Sequence, residues 1–177
     1  MPLDKKDALD ILETAAAWLV AVSMFLYGFG KVVQFGNMAA LDTPVSQLTG
    51  MQLMWAFYGH SKAYALVLGA FEVLGGLLLL FRKTRLLGCL LLTAILFNVI
   101  LQDIFYGVNA GALRAAIIYQ GLVACILWRN RAALVLVFRA LTARASEQED
   151  KKKTLAKVLL AFAALVLLKM LEMYGTH

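Results

Sequence analysis

Glu72 lies within the apolar stretch AYALVLGAFEVLGGLLLLF (63–81), ten residues after the lysine that precedes it. If the stretch crosses a membrane, an isolated carboxylate at this position is costly. Asn98 lies eight residues from the end of a second apolar stretch, 86–106. At ~1.5 Å of rise per residue, these side chains lie ~15 and ~12 Å below the predicted outer ends of their helices. Polar groups at such depth usually face a bundle interior or a wet cavity, where they can bind a ligand.

The spacing of the neighbouring polar residues places them on shared helix faces. Ser23, Tyr27, Lys31 and Gln34 recur at intervals of four, four and three, which is one face of an α-helix. The candidate ligand-binding residues all lie toward one predicted end of the helices: Tyr27, Lys31, Gln34, Glu72, Asn98, Gln102, Asp103 and Arg114. The sequence therefore predicts a polar pocket that opens outward and is closed below by apolar inner halves, with Glu13 near the inner boundary.

A structural alternative exists, in which a single glutamate hydrogen-bonded between helices only fixes their register. Five or more polar groups at compatible depths favour a binding site over this alternative. The sequence leaves the ionisation state of Glu72 open, with Lys31 and Arg114 as the candidate cationic neighbours.

The composition predicts an all-α polytopic membrane protein. The chain is 62% apolar and 16% charged, against roughly 45–50% and 25% in soluble domains. Four apolar runs are each about the ~20 residues needed to cross a bilayer, and they predict a four-helix bundle. The predicted spans are 11–32, 62–81, 86–106 and 112–128, with a fifth helix at 154–174.

The segments between the spans complete a four-helix transmembrane domain over 1–144. An outer interfacial segment covers 36–60, and its MQLMWAFYGH (51–60) is either a short helix at the outer surface or the wet start of the second span. The segment 131–144 carries several arginines and is predicted to form a helix on the cytoplasmic face. The segment 145–153 is predicted to be a charged linker. The last segment, 154–177, contains the fifth helix, for which a surface-lying helix is the alternative.

The positive charges predict the orientation of the chain. They concentrate at Lys5 and Lys6, at RKTR (82–85) and between 129 and 157, which are alternate loops of one topology. The positive-inside rule then gives a cytoplasmic N-terminus. The net charge of +6 is explained in this way and does not indicate nucleic acid. The N-terminus has no cleavage-site pattern, and no cleaved signal peptide is expected.

The sequence lacks the residues that several kinds of catalytic and metal sites require. Two histidines, at the outer boundary and the C-terminus, provide neither a bis-histidine haem site nor a histidine-rich metal site. Cys89 and Cys125 do not form a C-x-x-C motif, and we expect free thiols in the core. No phosphate-binding glycine loop and no Ser–His–Asp set is present. The residues do not decide whether the chain is an enzyme, although we expect it not to be catalytic by itself.

Four motifs resemble the DoxX-like family of small bacterial membrane proteins. They are YGFGK (27–31), WAFYGHSKAY (55–64), GAFEVLGGLLLLFRKTRLLG (69–88) and FNVILQDIFYGV (97–108), in the family's order. The resemblance implies a four-helix bundle in a bacterial cytoplasmic (inner) membrane and a membrane subunit associated with quinone- or sulfur-linked oxidoreductase systems. It also implies, from distant animal relatives, an assembly helper for other membrane proteins. The fifth helix departs from the usual four.

Three functions follow as hypotheses. The first is a non-catalytic membrane subunit whose pocket binds a small amphipathic ligand, a quinone or a lipid, for an oxidoreductase partner. The alternative is an assembly or anchoring factor for another membrane protein, and the third is a small proton-coupled transporter using Glu72. We expect no covalently bound cofactor, with quinone as the candidate ligand. The expected partners are the lipid bilayer and a membrane protein or a second copy of the chain, and no nucleic acid.

Overall fold

The computed structural model describes residues 4–36, 43–143 and 151–175, and the regular elements in these ranges are all helices. Five of them are long and apolar enough to cross a membrane. The chain divides into two compact units, residues 1–136 and 137–177. A single 3₁₀ turn (Val45–Gln47) accompanies the α-helices, which are α1 (Lys5–Gly30), α2 (Gly50–His60), α3 (Lys62–Leu80), α4 (Arg85–Phe105), α5 (Ala110–Arg129), α6 (Arg131–Thr142) and α7 (Lys151–Gly175).

The predicted all-α fold is confirmed, with a correction at the first helix. α1 begins at Lys5 rather than at residue 11, because Asp4 and Asp7 form a capping box with each other's backbone N–H groups. The polar first turns therefore extend the helix beyond its apolar part. α1 also ends at Gly30, two residues before the predicted boundary.

The aromatic segment before the second span is a separate short helix. Thr49 caps α2 in a capping box with Gln52, and Ser61 in an extended conformation separates α2 from α3. The hydroxyl of Ser61 then accepts a hydrogen bond from the N–H of Tyr64, which starts α3. Of the two readings of 51–60, the short helix is therefore the one observed, and its position at a membrane surface stays a prediction. Residues 37–42 of the interfacial segment lie outside the described ranges.

α1, α3, α4 and α5 form an up-down-up-down bundle in which each helix contacts the next and α5 closes back on α1. The antiparallel order is visible where α1 meets α3, since Gly28 lies against Gly69, and Gly76 lies against Ala21 seven residues earlier on α1. Both approaches are close enough that the backbones nearly touch, as is common where membrane helices meet at small residues.

An apolar layer crosses the middle of this bundle. It is formed by side chains that are at most 3% exposed and come from all four helices: Ala17, Val20, Ala21, Met24, Leu79, Cys89, Leu92, Leu96, Val123 and Ile126. Both cysteines are free, as expected, but only Cys89 belongs to the core. Cys125 is exposed on the outside of α5, because it lies on the face of the helix that turns away from the bundle. The apolar layer separates the two ends of the bundle.

We expect Gly69→Ala to lower the free energy of unfolding by about 1–3 kcal/mol through overpacking. A Cβ at Gly69 would lie 2.6 Å from the carbonyl oxygen of Gly28, and backbone cannot move aside as a flexible side chain can. SDS titration of the purified protein in mixed micelles measures the change. Gly121→Ala is the matched control, since a Cβ there meets nothing within 4 Å, and it should be neutral or stabilising. Equal losses in the two variants would contradict the close contact.

The segments after the bundle correct two predicted boundaries. α6 (Arg131–Thr142) replaces the predicted helix at 131–144, whose last residue lies outside the described ranges. α7 begins at Lys151, so that residues 151–153 are helical rather than part of the linker. The remainder of the linker, 145–150, is not described. The stretch Lys153–Tyr174 of α7 is long and apolar enough to cross a membrane.

Candidate functional site

A cavity of about 730 Å³ lies at the end of the bundle where α2 and the α4–α5 turn are found. Its volume is within the range of roughly 300–1,000 Å³ typical of small-molecule sites. Apolar and aromatic side chains make up most of its wall, including Met24 and Leu96 of the apolar layer, which close its base. Seven of the eight predicted ligand-binding residues line it: Tyr27, Lys31, Gln34, Glu72, Asn98, Gln102 and Asp103.

Glu72 forms a buried ion pair with Lys31 in the wall of this cavity. The Nζ of Lys31 lies 3.0 Å from Oε1 of Glu72, and Glu72 is only 5% exposed. Lys31 immediately follows the end of α1, and its side-chain stem passes closely over Gly69 of α3. The close approach of the two helices thus brings a cation to the carboxylate, and of the two candidate neighbours of Glu72 it is Lys31 that pairs with it.

Two carboxylate oxygens at the cavity have no hydrogen-bond donor in the described part of the chain. These are Oε2 of Glu72 and Oδ2 of Asp103, both of which are buried. Asp103 is 6% exposed and, within the described residues, makes no ion pair. Buried acceptors without a donor are rare in folded proteins, because each one loses its hydrogen bonds to water. The site therefore has unused hydrogen-bonding capacity on two different helices.

Tyr58 of α2 is a site residue that the sequence did not single out. Its hydroxyl donates a hydrogen bond to Oε1 of Gln102, with 2.8 Å between the oxygens. Burial raises the pKa of the Tyr58 phenol above its ordinary value, so the group stays protonated and keeps donating at neutral pH. The ring stacks on Phe35, which in turn meets Trp55 edge to face. This aromatic cluster covers the cavity from the side of α2.

The helix face predicted through Ser23, Tyr27, Lys31 and Gln34 is only partly helical. α1 ends at Gly30, and residues 31–36 form turns, yet Lys31 and Gln34 still line the cavity. Ser23 does not line the cavity. Its hydroxyl donates a hydrogen bond to the carbonyl of Leu19 on the same helix. Tyr27 does line the cavity, and its ring contacts that of Tyr119 edge to face across the bundle.

Arg114 is the predicted ligand-binding residue that does not line the cavity. Its side chain is exposed, and its Nε donates to the carbonyl of Ala110 in the first turn of α5, at 3.1 Å. The sequence correctly placed it near the α4–α5 turn but could not give its direction around the helix. Asn98 and Gln102 lie one turn apart on α4 and both face the cavity, as their shared face predicted.

The opposite end of the bundle holds a charged cluster that the sequence did not predict. Glu13 was expected as an isolated polar residue, but its Oε1 pairs with Arg85 at 3.0 Å and its Oε2 with Arg129 at 2.8 Å. Asp10 pairs with Arg129 and, at 3.2 Å, with Arg82. The cluster ties α1 to the α3–α4 turn, to the start of α4 and to the end of α5. It is separated from the cavity by the apolar layer.

No group of three or more His, Cys, Asp or Glu side chains that could hold a metal ion occurs among residues 4–36, 43–143 and 151–175. The polar and aromatic groups that the cavity wall offers are the Lys31–Glu72 pair, the amides of Asn98 and Gln102, Asp103 and the aromatic rings. These groups can hold a polar head by hydrogen bonds and charge while the apolar wall holds a tail. They do not form a nucleophile–base pair with an orienting third group.

The chain is similar to the uncharacterized protein YwoB of Bacillus subtilis (strain 168). The two are 30% identical over 122 residues, which cover 68% of this chain and 77% of YwoB. No family model matches the chain. No solved structure matches it.

Proposed function

The chain belongs to the same family as YwoB of Bacillus subtilis, and on that premise we propose that it is a non-catalytic membrane protein that binds a small amphipathic molecule in the cavity around Glu72. The observation that carries the proposal is the buried Lys31–Glu72 pair in the wall of an otherwise largely apolar cavity. A buried ion pair is costly to desolvate and contributes little to stability by itself. A binding role gives a reason for its position.

The shape of the wall supports a ligand with a polar head and an apolar tail. Hydrogen-bonding groups from α1, α3 and α4 converge at the cavity, together with methionine, leucine, valine and aromatic side chains. This combination of a mainly apolar wall and a few polar groups is typical of small-molecule sites. A lipid or a quinone fits this description, and the DoxX-like motifs add the proposal that the chain serves a quinone- or sulfur-linked oxidoreductase as a membrane subunit.

The charge distribution supports an orientation for the protein in the bacterial cytoplasmic membrane. The N-terminus of α1, the α3–α4 turn and the end of α5 lie at one end of the antiparallel bundle, and Lys5, Lys6, Arg82, Arg85 and Arg129 are all found there. By the positive-inside rule this end is cytoplasmic. The cavity, at the other end, then opens toward the outer side of the membrane.

An assembly or anchoring factor remains the second candidate, and α7 favours it. A four-helix bundle already accounts for the cavity, whereas α7 adds a further helix with an apolar stretch of 22 residues. Such a helix could pack against the spans of another membrane protein. Crosslinking in intact membranes that finds no partner of α7 would remove this candidate.

Filling the cavity tests the proposed function. Ala112 lies in the cavity wall. We expect Ala112→Trp to lower the amount of amphipathic molecule that co-purifies with the protein about tenfold or more relative to the wild type. A loss of about 1.4 kcal/mol in binding free energy suffices for this change. Mass spectrometry of the extracted lipids measures it.

Ala110→Trp is the matched control, because Ala110 lies in the same helical turn, is also exposed and does not line the cavity. This variant should retain the molecule. Identical extracts from both variants and the wild type, with no molecule enriched over the surrounding lipid, would contradict the proposal.

A further inference from the structure

We infer that the ligand of the cavity has a positively charged head that carries hydrogen-bond donors, a primary ammonium, joined to an apolar tail. The inference rests on the proposed function and narrows it to one ligand class. It starts from the carboxylates of Glu72 and Asp103, each more than nine-tenths buried and each with one oxygen that lacks a donor.

The free acceptors of the wall favour a ligand head that donates hydrogen bonds over one that accepts them. Oε1 of Glu72 already accepts from Lys31, and Oε1 of Gln102 accepts from Tyr58. What the described part of the chain does not provide is a donor for the second oxygen of Glu72 or for Oδ2 of Asp103. A quinone head offers only carbonyl acceptors and leaves both oxygens as they are, whereas an ammonium offers three N–H donors.

The charge of the wall favours a cation. Three charged residues line the cavity, Lys31, Glu72 and Asp103, so that two carboxylates face one ammonium and the formal sum is −1 when both acids are ionised. Arg114, whose positive charge would have made the wall formally neutral, lies outside it. A second ammonium, supplied by the ligand and lying beside Asp103, would bring the formal charge of the wall to zero. It would also form a charge-assisted hydrogen bond with the Asp103 carboxylate.

The aromatic side chains add a third, independent preference. Tyr27, Phe35, Trp55, Tyr58 and Tyr119 all line the cavity. Aromatic faces attract cations through their quadrupole, and most strongly where water is excluded. Apolar residues of α1, α2 and α4 surround the same space and provide contacts for a tail. The wall therefore combines acceptors, negative charge and rings, which together select a cationic amphiphile over neutral and anionic ones.

Four probes with apolar tails of similar length test the inference on the full-length protein in phosphatidylcholine nanodiscs. Dodecylammonium carries charge and donors, dodecyltrimethylammonium carries charge alone, dodecanol carries a neutral hydroxyl that both donates and accepts, and decylubiquinone carries acceptors alone. Binding is followed by tryptophan emission in a Trp18→Phe, Trp128→Phe background, where Trp55 of the cavity wall is the remaining tryptophan, with empty nanodiscs as the blank. We expect dodecylammonium to bind at least about tenfold more tightly than each of the others, the change expected from one hydrogen bond to a charged group.

Asp103→Asn should remove most of this preference, because it keeps the shape of the side chain and replaces an acceptor by an amide. Arg114→Gln, near the same end of the bundle but outside the wall, should leave it unchanged. If Asp103→Asn does not fold, the wild-type ranking of the four probes decides alone.

The outcomes separate the inference from the proposed function. Decylubiquinone or dodecanol binding as tightly as dodecylammonium would overturn the ammonium head and leave an amphiphile site in place. Retention of the preference in Asp103→Asn would also overturn the role given to that carboxylate. Absence of saturable binding by all four probes would overturn both the inference and the proposed function.

Discussion

Lys31→Met is expected to lower the free energy of unfolding by about 3 kcal/mol, the lower end of the cost of removing one partner from a buried ion pair. Glu72 is 5% exposed, and its second oxygen already lacks a donor. Without Lys31 neither oxygen has a partner in the described part of the chain. Water entering the cavity of about 730 Å³ offsets part of the loss, which is why the lower end applies. SDS titration in mixed micelles measures the change.

Two comparisons make this prediction specific. The double variant Lys31→Met, Glu72→Gln should be more stable than Lys31→Met alone, because it removes the unpaired charge as well, and the cycle should give a coupling of about 2 kcal/mol. The exposed pair Lys169–Glu172, at 2.7 Å, is the control within the same chain, with side chains 64% and 59% exposed. Lys169→Met should cost less than about 1 kcal/mol. A loss of the same small size in Lys31→Met would contradict a buried, energetically significant pair.

The positions of the bundle helices could be predicted from the sequence because apolar length alone decides them. The predicted spans at 62–81, 86–106 and 112–128 each lie within two residues of the observed bounds at both ends. The start of α1 could not be placed by the same reasoning. There the helix continues through polar turns to a capping box at Asp4, and local hydrogen bonds rather than hydropathy determine the end.

The wall of the cavity could be predicted in part, because helical periodicity gives the depth and the shared face of residues within one helix. It gave Tyr27, Glu72, Asn98 and Gln102 correctly as neighbours of one space. It could not orient Arg114, whose Nε donates a hydrogen bond to the carbonyl of Ala110 one turn earlier on the same helix. Tyr58 was missed for a different reason, since its partner Gln102 is 44 residues away and no spacing rule connects α2 with α4.

The two ends of the bundle have different electrostatics, and this difference bears on function. At one end Asp10 and Glu13 are paired with arginines, and Glu13 accepts from Arg85, Arg129 and Asn130. At the other end Glu72 and Asp103 keep oxygens without donors. The apolar layer lies between them and includes Val20, Leu92 and Val123, which have no exposed surface. This arrangement supports a binding site open at one end over a pathway for ions through the bundle.

Arg85→Met is expected to lower the free energy of unfolding by about 3 kcal/mol, the lower end of the cost of breaking a buried charge pair by removing one partner. Arg85 is 3% exposed, and its guanidinium makes two contacts that methionine cannot replace. One is the pair with Oε1 of Glu13, and the other is the hydrogen bond from Nε to the carbonyl of Leu79 at the end of α3. The change therefore leaves Oε1 of Glu13 and the carbonyl of Leu79 without these donors, whereas Oε2 of Glu13 keeps Arg129 and Asn130, which is why the lower end applies. Equilibrium unfolding in mixed micelles gives the difference in free energy.

Arg82→Met is the matched control, because Arg82 belongs to the same charged cluster but its side chain is 66% exposed. Its partner Asp10 keeps Arg129, so the variant should cost less than about 1 kcal/mol, as is usual for exposed pairs. Arg85→Met and Arg82→Met of equal stability would show that burial does not strengthen the cluster, and the charged end would then contribute no more than a set of solvated ion pairs.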